Sequence, residues 1–253
     1  MRLMKHPSRN ISRIIVVGAA LTTCLNAPAI AYNPPRASSA DLVSMLNAQL
    51  APNTRPAYYL DSSSGKRFLF DRTGPHALLQ YEDDGEVYAL NTSNGPRGDQ
   101  FYRTDTGRLF LRVTELGNVI VFPMGDRQGA PTSLDAGSGA IIPPPHPADF
   151  IAELELLSEQ MTDVLGVAPT ITVNADLTNY ADWTLEAVQT ASKGLARAKA
   201  RKDIRVNAIS LRLGEKAGLS IEGEQLLIAV APADGFAGRP SSEAIVRALA
   251  SAR

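Results

Sequence analysis

The chain predicts an α+β protein. An N-terminal antiparallel β-meander, folded as a curled sheet or a small barrel or sandwich, precedes a C-terminal α+β unit with helices on a mainly antiparallel sheet. Three observations predict it. Short runs of aromatic and β-branched residues alternate with glycine-containing turns from Ala57 to Pro123. Apolar residues at three-and-four spacing return after Ala148. Between them, Gly125 to Pro147 is rich in Gly, Pro, Ser and Ala and has no period.

Residues 1–31 read as a signal peptide. Arg2, Lys5, Arg9 and Arg13 precede an apolar run, Ile14 to Leu25, and Ala29-Ile30-Ala31 offers the small-x-small cleavage pattern after Pro28. Residues 32–56 are a proline-containing tether and a short helix. Ser39 caps that helix, Leu42, Val43, Leu46 and Leu50 share one face, and Pro52 and Pro56 end it.

Seven strands are expected within 57–124: Tyr58–Asp61, Arg67–Asp71, Ala77–Tyr81, Glu86–Asn91, Gln100–Thr104, Arg108–Thr114 and Asn118–Pro123. Gly65, Gly74, Gly85, Gly95, Gly107 and Gly117 lie near the turns between them and are expected to supply positive φ. Phe68 and Phe70 share a face, as do Leu109, Leu111 and Val113. Residues 125–147 are expected to be a linker stiffened by Pro143-Pro144-Pro145.

Within 148–253, a helix over Ala148–Leu165 stops at Gly166, and Thr170–Val173 is a strand. A helix from Tyr180 to Lys202 carries Trp183, Ala187, Ala191, Leu195 and Ala198 on one stripe. Val206–Leu213 and Leu219–Val230 are expected to pair as a hairpin around Gly214 to Gly218, with a bulge at Gly223. Ser241 caps a last helix whose inward positions are Ile245, Val246 and Leu249.

Composition narrows the function classes. Cys24 is the only cysteine and lies inside the signal, so cleavage after Ala31 leaves no disulfide, thiol nucleophile or cysteine-bound metal. Removing the signal's four basic residues takes the formal net charge from −1 to −5, which disfavours nucleic-acid binding. A lipoprotein anchored at Cys24 is the rival reading. It is disfavoured by Thr23, which stands where a small residue is usual.

No catalytic, cofactor or metal motif stands out. Asp105-Thr106-Gly107 has the core of an aspartic-protease motif, but that chemistry needs two carboxylates sharing a proton, and a hairpin turn explains the same letters. Glu82-Asp83-Asp84-Gly85-Glu86 gathers four carboxylates without the alternation of a calcium loop. His76 and His146 are far apart in sequence. Lys193, Arg197, Lys199, Arg201, Lys202 and Arg205 favour the negative end of the long helix, or contact an anionic lipid. Possible ligand or partner contacts are Arg97 and Asp99 in Arg97-Gly98-Asp99, and Arg239 and Ser241 in Asp234–Ser242. In that second segment, an anion site at the helix start competes with a loop locked by bonds from Arg239 to carbonyls.

Two stretches taken together resemble a known family. One runs from Gly95-Pro96-Arg97-Gly98-Asp99 through Asp105-Thr106-Gly107 to Leu111–Gly117, and the other is Gly235–Ser242. The family is one of exported alphaproteobacterial proteins grouped as a domain of unknown function. The resemblance implies an envelope or secreted location and brings no activity, cofactor or catalytic residue. The expectation is therefore a periplasmic or secreted, non-enzymatic binding or structural protein with an envelope protein, glycan or lipid as partner. The alternatives are a carboxylate-based hydrolase and an envelope-surface protein that binds anionic lipid or glycan.

Overall fold

Turn chemistry shapes the first half of the molecule. The computed structural model describes residues 55–137, 139–200 and 205–252. The signal peptide, Cys24, the tether and its helix through Leu50, and Arg201 and Lys202 lie outside the described residues. Strands β1 (Ala57–Asp61), β2 (Arg67–Asp71), β3 (Ala77–Tyr81), β4 (Val87–Asn94), β5 (Gln100–Arg103), β6 (Leu109–Val113) and β7 (Val119–Val121) form the expected meander. Gly65, Gly85, Gly107 and Gly117 take φ between 68° and 82° at their tips. Gly74 and Gly95 do not have positive φ, contrary to expectation. At the β4–β5 tip Arg97 (φ 60°) and Gly98 (φ 78°) make the left-handed turn instead. Gly95 is needed there for another reason: a Cβ would lie 2.5 Å from the Phe101 ring.

The meander closes into a barrel because of a strand that the sequence reading placed in a linker. β8 (Ala130–Leu134) pairs antiparallel with both β7 and β1. Its sequence, APTSL, carries a proline and little apolar character, so it gave no strand signal. Closure removes both sheet edges. Phe68, Phe70, Leu79, Leu90, Leu111, Val119 and Val121 fill the interior, all buried. A register shift between Tyr102 and Arg103 makes Phe110 the extra residue of a β-bulge. Phe110 and Leu111 therefore both join the core, breaking strict alternation. Phe110 packs on Tyr81 and Tyr88, and the Arg108 guanidinium lies 4.5 Å from its ring centre.

The C-terminal layer is built on helix–sheet packing. Helix α1 (Phe150–Leu165) starts at Asp149, whose carboxylate accepts from the Ala152 amide, and ends at left-handed Gly166. Strand β9 (Thr170–Val173) leads into helix α2 (Ala181–Lys199), followed by β10 (Ala208–Leu213), β11 (Gly218–Glu222), β12 (Gln225–Val230) and helix α3 (Ser242–Ser251). The sheet order is β11-β12-β10-β9. Ile209 and Leu211 on β10, and Leu226, Ile228 and Val230 on β12, pack with the helices in one core. Those positions share one face by the two-residue period of a strand. α2 and α3 approach so closely that a Cβ at Gly194 would lie 2.7 Å from the Ile245 Cβ.

This sheet is not mainly antiparallel, which corrects the sequence expectation. β10 runs parallel to both β9 and β12, and the β11–β12 pair alone is antiparallel. The expected hairpin between β10 and the following segment does not form. The long run Leu219–Val230 splits at Gly223 (φ 61°), where a tight turn pairs Glu222 with Gln225. β12 then returns between β11 and β10. Apolar alternation looks the same in a parallel and an antiparallel neighbour, so the run carried no information on partner choice. The described residues all fall in one compact unit, Ser44–Arg253, which includes barrel and C-terminal layer alike.

The aromatic core makes alkaline stability testable. Burial raises the phenols of Tyr59, Tyr81 and Tyr88, and that of Tyr81 reaches about 12. A phenol raised above its unfolded value near 10 contributes stability that is fully present below that pH. The contribution is lost as pH rises through the folded value. Tyrosinate absorbance is expected to rise in two phases, the second coinciding with loss of far-UV circular dichroism. A single phase complete near pH 10, with the fold intact, would contradict the buried phenols.

Candidate functional site

Barrel and helical layer meet along a polar seam, and its geometry defines the site. Glu86, immediately before β4, is buried. Its carboxylate accepts from the Ser242 amide (2.9 Å), the Ser242 hydroxyl (2.6 Å), the Tyr88 hydroxyl (3.0 Å) and the Arg197 guanidinium (3.0 Å). Arg197 also reaches Asp84 (2.5 Å) and donates to Ser242 Oγ, while Lys193 donates to the Asp84 carbonyl (2.8 Å).

The Asp105-Thr106-Gly107 turn is the second point of attachment. The carboxylate of Asp105 accepts from the Ser241 amide (2.8 Å) and hydroxyl (2.7 Å). Ser241 Oγ in turn accepts from the Ala244 amide (3.1 Å) as the N-cap of α3. Thr106 and Arg108 donate to Glu243, with Arg108 spanning both carboxylate oxygens, and Arg247 donates back to the Thr106 carbonyl (2.6 Å). Burial by itself raises the Glu243 carboxyl, but the bonds from Arg108 and Thr106 outweigh it and hold the group below the usual range.

The third attachment is Arg239, which is 4% exposed. It donates to the Val87 carbonyl (3.0 Å) and to Glu186 of α2 (2.5 Å). It emerges from a 3-10 turn, Pro232–Gly238, pinned by the Ala231 amide donating to the Gly238 carbonyl (2.8 Å). A Cβ at Gly238 would collide with the Ala231 carbonyl, so only glycine fits there. The bond to Val87 ties this loop to a barrel strand through an arginine-to-carbonyl contact. The anion site at the helix start is already filled: Glu86 and Asp105 from the barrel occupy the first-turn donors of α3.

Beside this seam lies an open cleft of about 400 Å³. Barrel residues His76, Val87, Ala89, Asn91 and Asp105 line one side, and Lys216, Asp234, Phe236, Arg239 and Ser241 the other. The chain's one tryptophan, Trp183, packs edge-on against Phe236 (5.2 Å between ring centres). Asp105 and Ser241 bind each other. The side chains of His76, Asn91, Lys216 and Asp234 make no hydrogen bond or ion pair with another described residue. Arg239 Nε is buried and has no acceptor.

A second cleft of about 390 Å³, at one end of the barrel, behaves differently. Lys66 pairs with Asp83, Arg197 with Asp84, Arg108 with Glu243, and Asp61 accepts from Ser63 and Ser64. Each of its charged groups has an internal partner.

Of the four contacts read from sequence, Arg239 and Ser241 line the first cleft, and Arg97 and Asp99 do not. Asp99 turns inward, accepting from Arg112 (2.7 Å) and the Glu115 amide (3.2 Å), while Arg97 is exposed at the β4–β5 tip. The Arg-Gly-Asp run therefore does not present its carboxylate to solvent. Lys216 carried no sequence signal, and Asp234 entered only as the first residue of the Asp234–Ser242 segment, since exposed charges in glycine-rich loops give no signal until the fold brings them together. Lys193 and Arg197, read as a basic helix end, face barrel acids. Among the described residues, no group of three or more His, Cys, Asp or Glu is placed to hold a metal. No described helix is long and apolar enough to cross a membrane.

The seam yields two predictions. Glu86→Ala leaves Arg197 and the Ser242 amide each short of an acceptor and is expected to cost about 3 kcal/mol in urea unfolding. A loss below about 0.5 kcal/mol, the range of surface substitutions, would refute the role given to Glu86. Because the Glu243 carboxyl is depressed below 4.5, its contribution is present above that pH and lost as pH falls through the folded value. Glu243→Gln should lower stability at neutral pH and flatten its decline below pH 4.5. An unchanged acid limb in the variant would contradict this coupling.

No curated protein and no solved structure matches the chain. Residues 38–249 match the family described as a domain of unknown function, DUF4908, and the chain belongs to that family.

Proposed function

We propose that this chain is an exported, non-enzymatic binding protein of the cell envelope, periplasmic or secreted, whose ligand enters the cleft between barrel and helical layer. One observation carries the reading. His76, Asn91, Lys216 and Asp234 line the cleft with side chains that have no hydrogen bond or ion pair to another described residue, together with apolar Val87, Ala89 and Phe236. A few placed polar groups over apolar surface are the usual composition of a small-molecule site. The export half of the proposal rests on the basic, apolar and Ala29-Ile30-Ala31 segments of the signal.

The hydrolase alternative needs free carboxylates for acid–base work. Both oxygens of Asp105 accept from Ser241, and Glu82, Asp83, Asp84 and Glu86 pair with Arg67, Lys66 and Arg197. These bonds weigh against it. The anionic-lipid alternative is weakened in the same way, because Lys193 and Arg197 turn toward the barrel.

Trp183 provides the test. Full-length protein titrated with small-molecule fractions of a Gram-negative envelope extract should show a shift in tryptophan emission, since Trp183 contacts Phe236 in the cleft wall. The double variant Lys216→Met, Asp234→Asn should lose the shift while keeping the unfolding temperature of the parent. Failure of every fraction to alter the emission would rule the reading out.

A further inference from the structure

The charge on the cleft wall identifies the class of ligand. Arg239 is ion-paired with Glu186 and Asp105 is hydrogen-bonded by Ser241, whereas the charged side chains of Lys216 and Asp234 have neither a hydrogen bond nor an ion pair with another described residue. A simple anion would be attracted by Lys216 and repelled by Asp234, and a simple cation the reverse. Opposed charges on one small wall suit a ligand that carries both signs. Arg239 lines the cleft as well, and its buried Nε has no acceptor. At about 400 Å³ the cleft falls near the lower end of small-molecule sites, about 300–1,000 Å³.

Resting on the binding reading above, we propose that the ligand is a small zwitterion of amino-acid to dipeptide size. Its carboxylate faces Lys216 and Arg239, and its ammonium faces Asp234. Phe236, Val87 and Ala89 supply the apolar contact for its side chains, and His76 and Asn91 flank it from the barrel. Topology makes this juxtaposition. The β10–β11 loop, which carries Lys216, crosses over the position that β12 later fills, and the 3-10 turn that follows β12 carries Asp234.

Calorimetric titration of the full chain with alanine, dialanine, N-acetyl-dialanine, dialanine amide and glucose tests the class. Free dialanine is expected to bind, and each blocked form to bind about tenfold or more weakly, the loss expected for one charge-assisted contact. Asp234→Asn should abolish the preference for the free amine and keep that for the free carboxylate. Lys216→Met should do the opposite. Both side chains are exposed and unbonded, so neither change threatens the fold. Equal affinity for free and blocked dipeptides overturns the proposal. So does a response to glucose or to envelope fractions without any response to alanine or dialanine, an outcome that leaves the cleft as a binding site. Silence of Trp183 to every fraction, together with silence of the dipeptides, overturns both.

Discussion

The carboxylate of Glu86 leaves the barrel just ahead of β4 and is buried against the first turn of α3. Two donors from Ser242, one from Tyr88 and one from Arg197 surround it. A buried carboxylate without such partners would carry a desolvation cost of several kcal/mol. Here the helix supplies N–H groups that have no partner within the helix, and its dipole favours the negative charge. The same contact therefore satisfies the barrel's acid, the helix's open amides and the α2 guanidinium at once. Moving any of the three elements strands the other two.

Asp105 repeats this logic one residue earlier, on Ser241, so two hairpin tips of the barrel hold one helix end. Arg239 completes the seam by tying the loop before α3 to both β4 and α2. Glycine makes these approaches possible where bulk would block them, at Gly238 against Ala231 and at Gly194 against Ile245. The α3 start is therefore held from both sides, and the loops beside it are held in place. A cleft with its wall built from such loops is organised in advance, which would limit the ordering cost of any binding there.

The cleft is what the seam leaves over. Along the seam acids and bases satisfy one another, while beside it Lys216 and Asp234 come from loops that meet only through the strand order of the C-terminal sheet. The barrel-end cleft, of similar volume, has each charged group internally paired.

Much of the local structure was legible in the sequence, because it depends on neighbours in the chain. Alternation and turn glycines marked β1 to β7, and the bounds of β2, β3 and β9 coincide with the apolar runs. Gly166 and Ser241 marked helix ends, since caps act within one turn. Tertiary structure alone decided whatever depends on distant partners. β8 is a strand because β1 and β7 both offer it unpaired amides and carbonyls, whatever its proline says. β12 lies between β10 and β11 because that position buries Leu226, Ile228 and Val230 against the helices, a gain invisible to alternation. The roles of Glu86, Asp105 and Arg239 were hidden for the same reason: a charged residue in a turn reads as solvated until a helix end more than a hundred residues away, or in the case of Arg239 the Val87 carbonyl, comes to meet it.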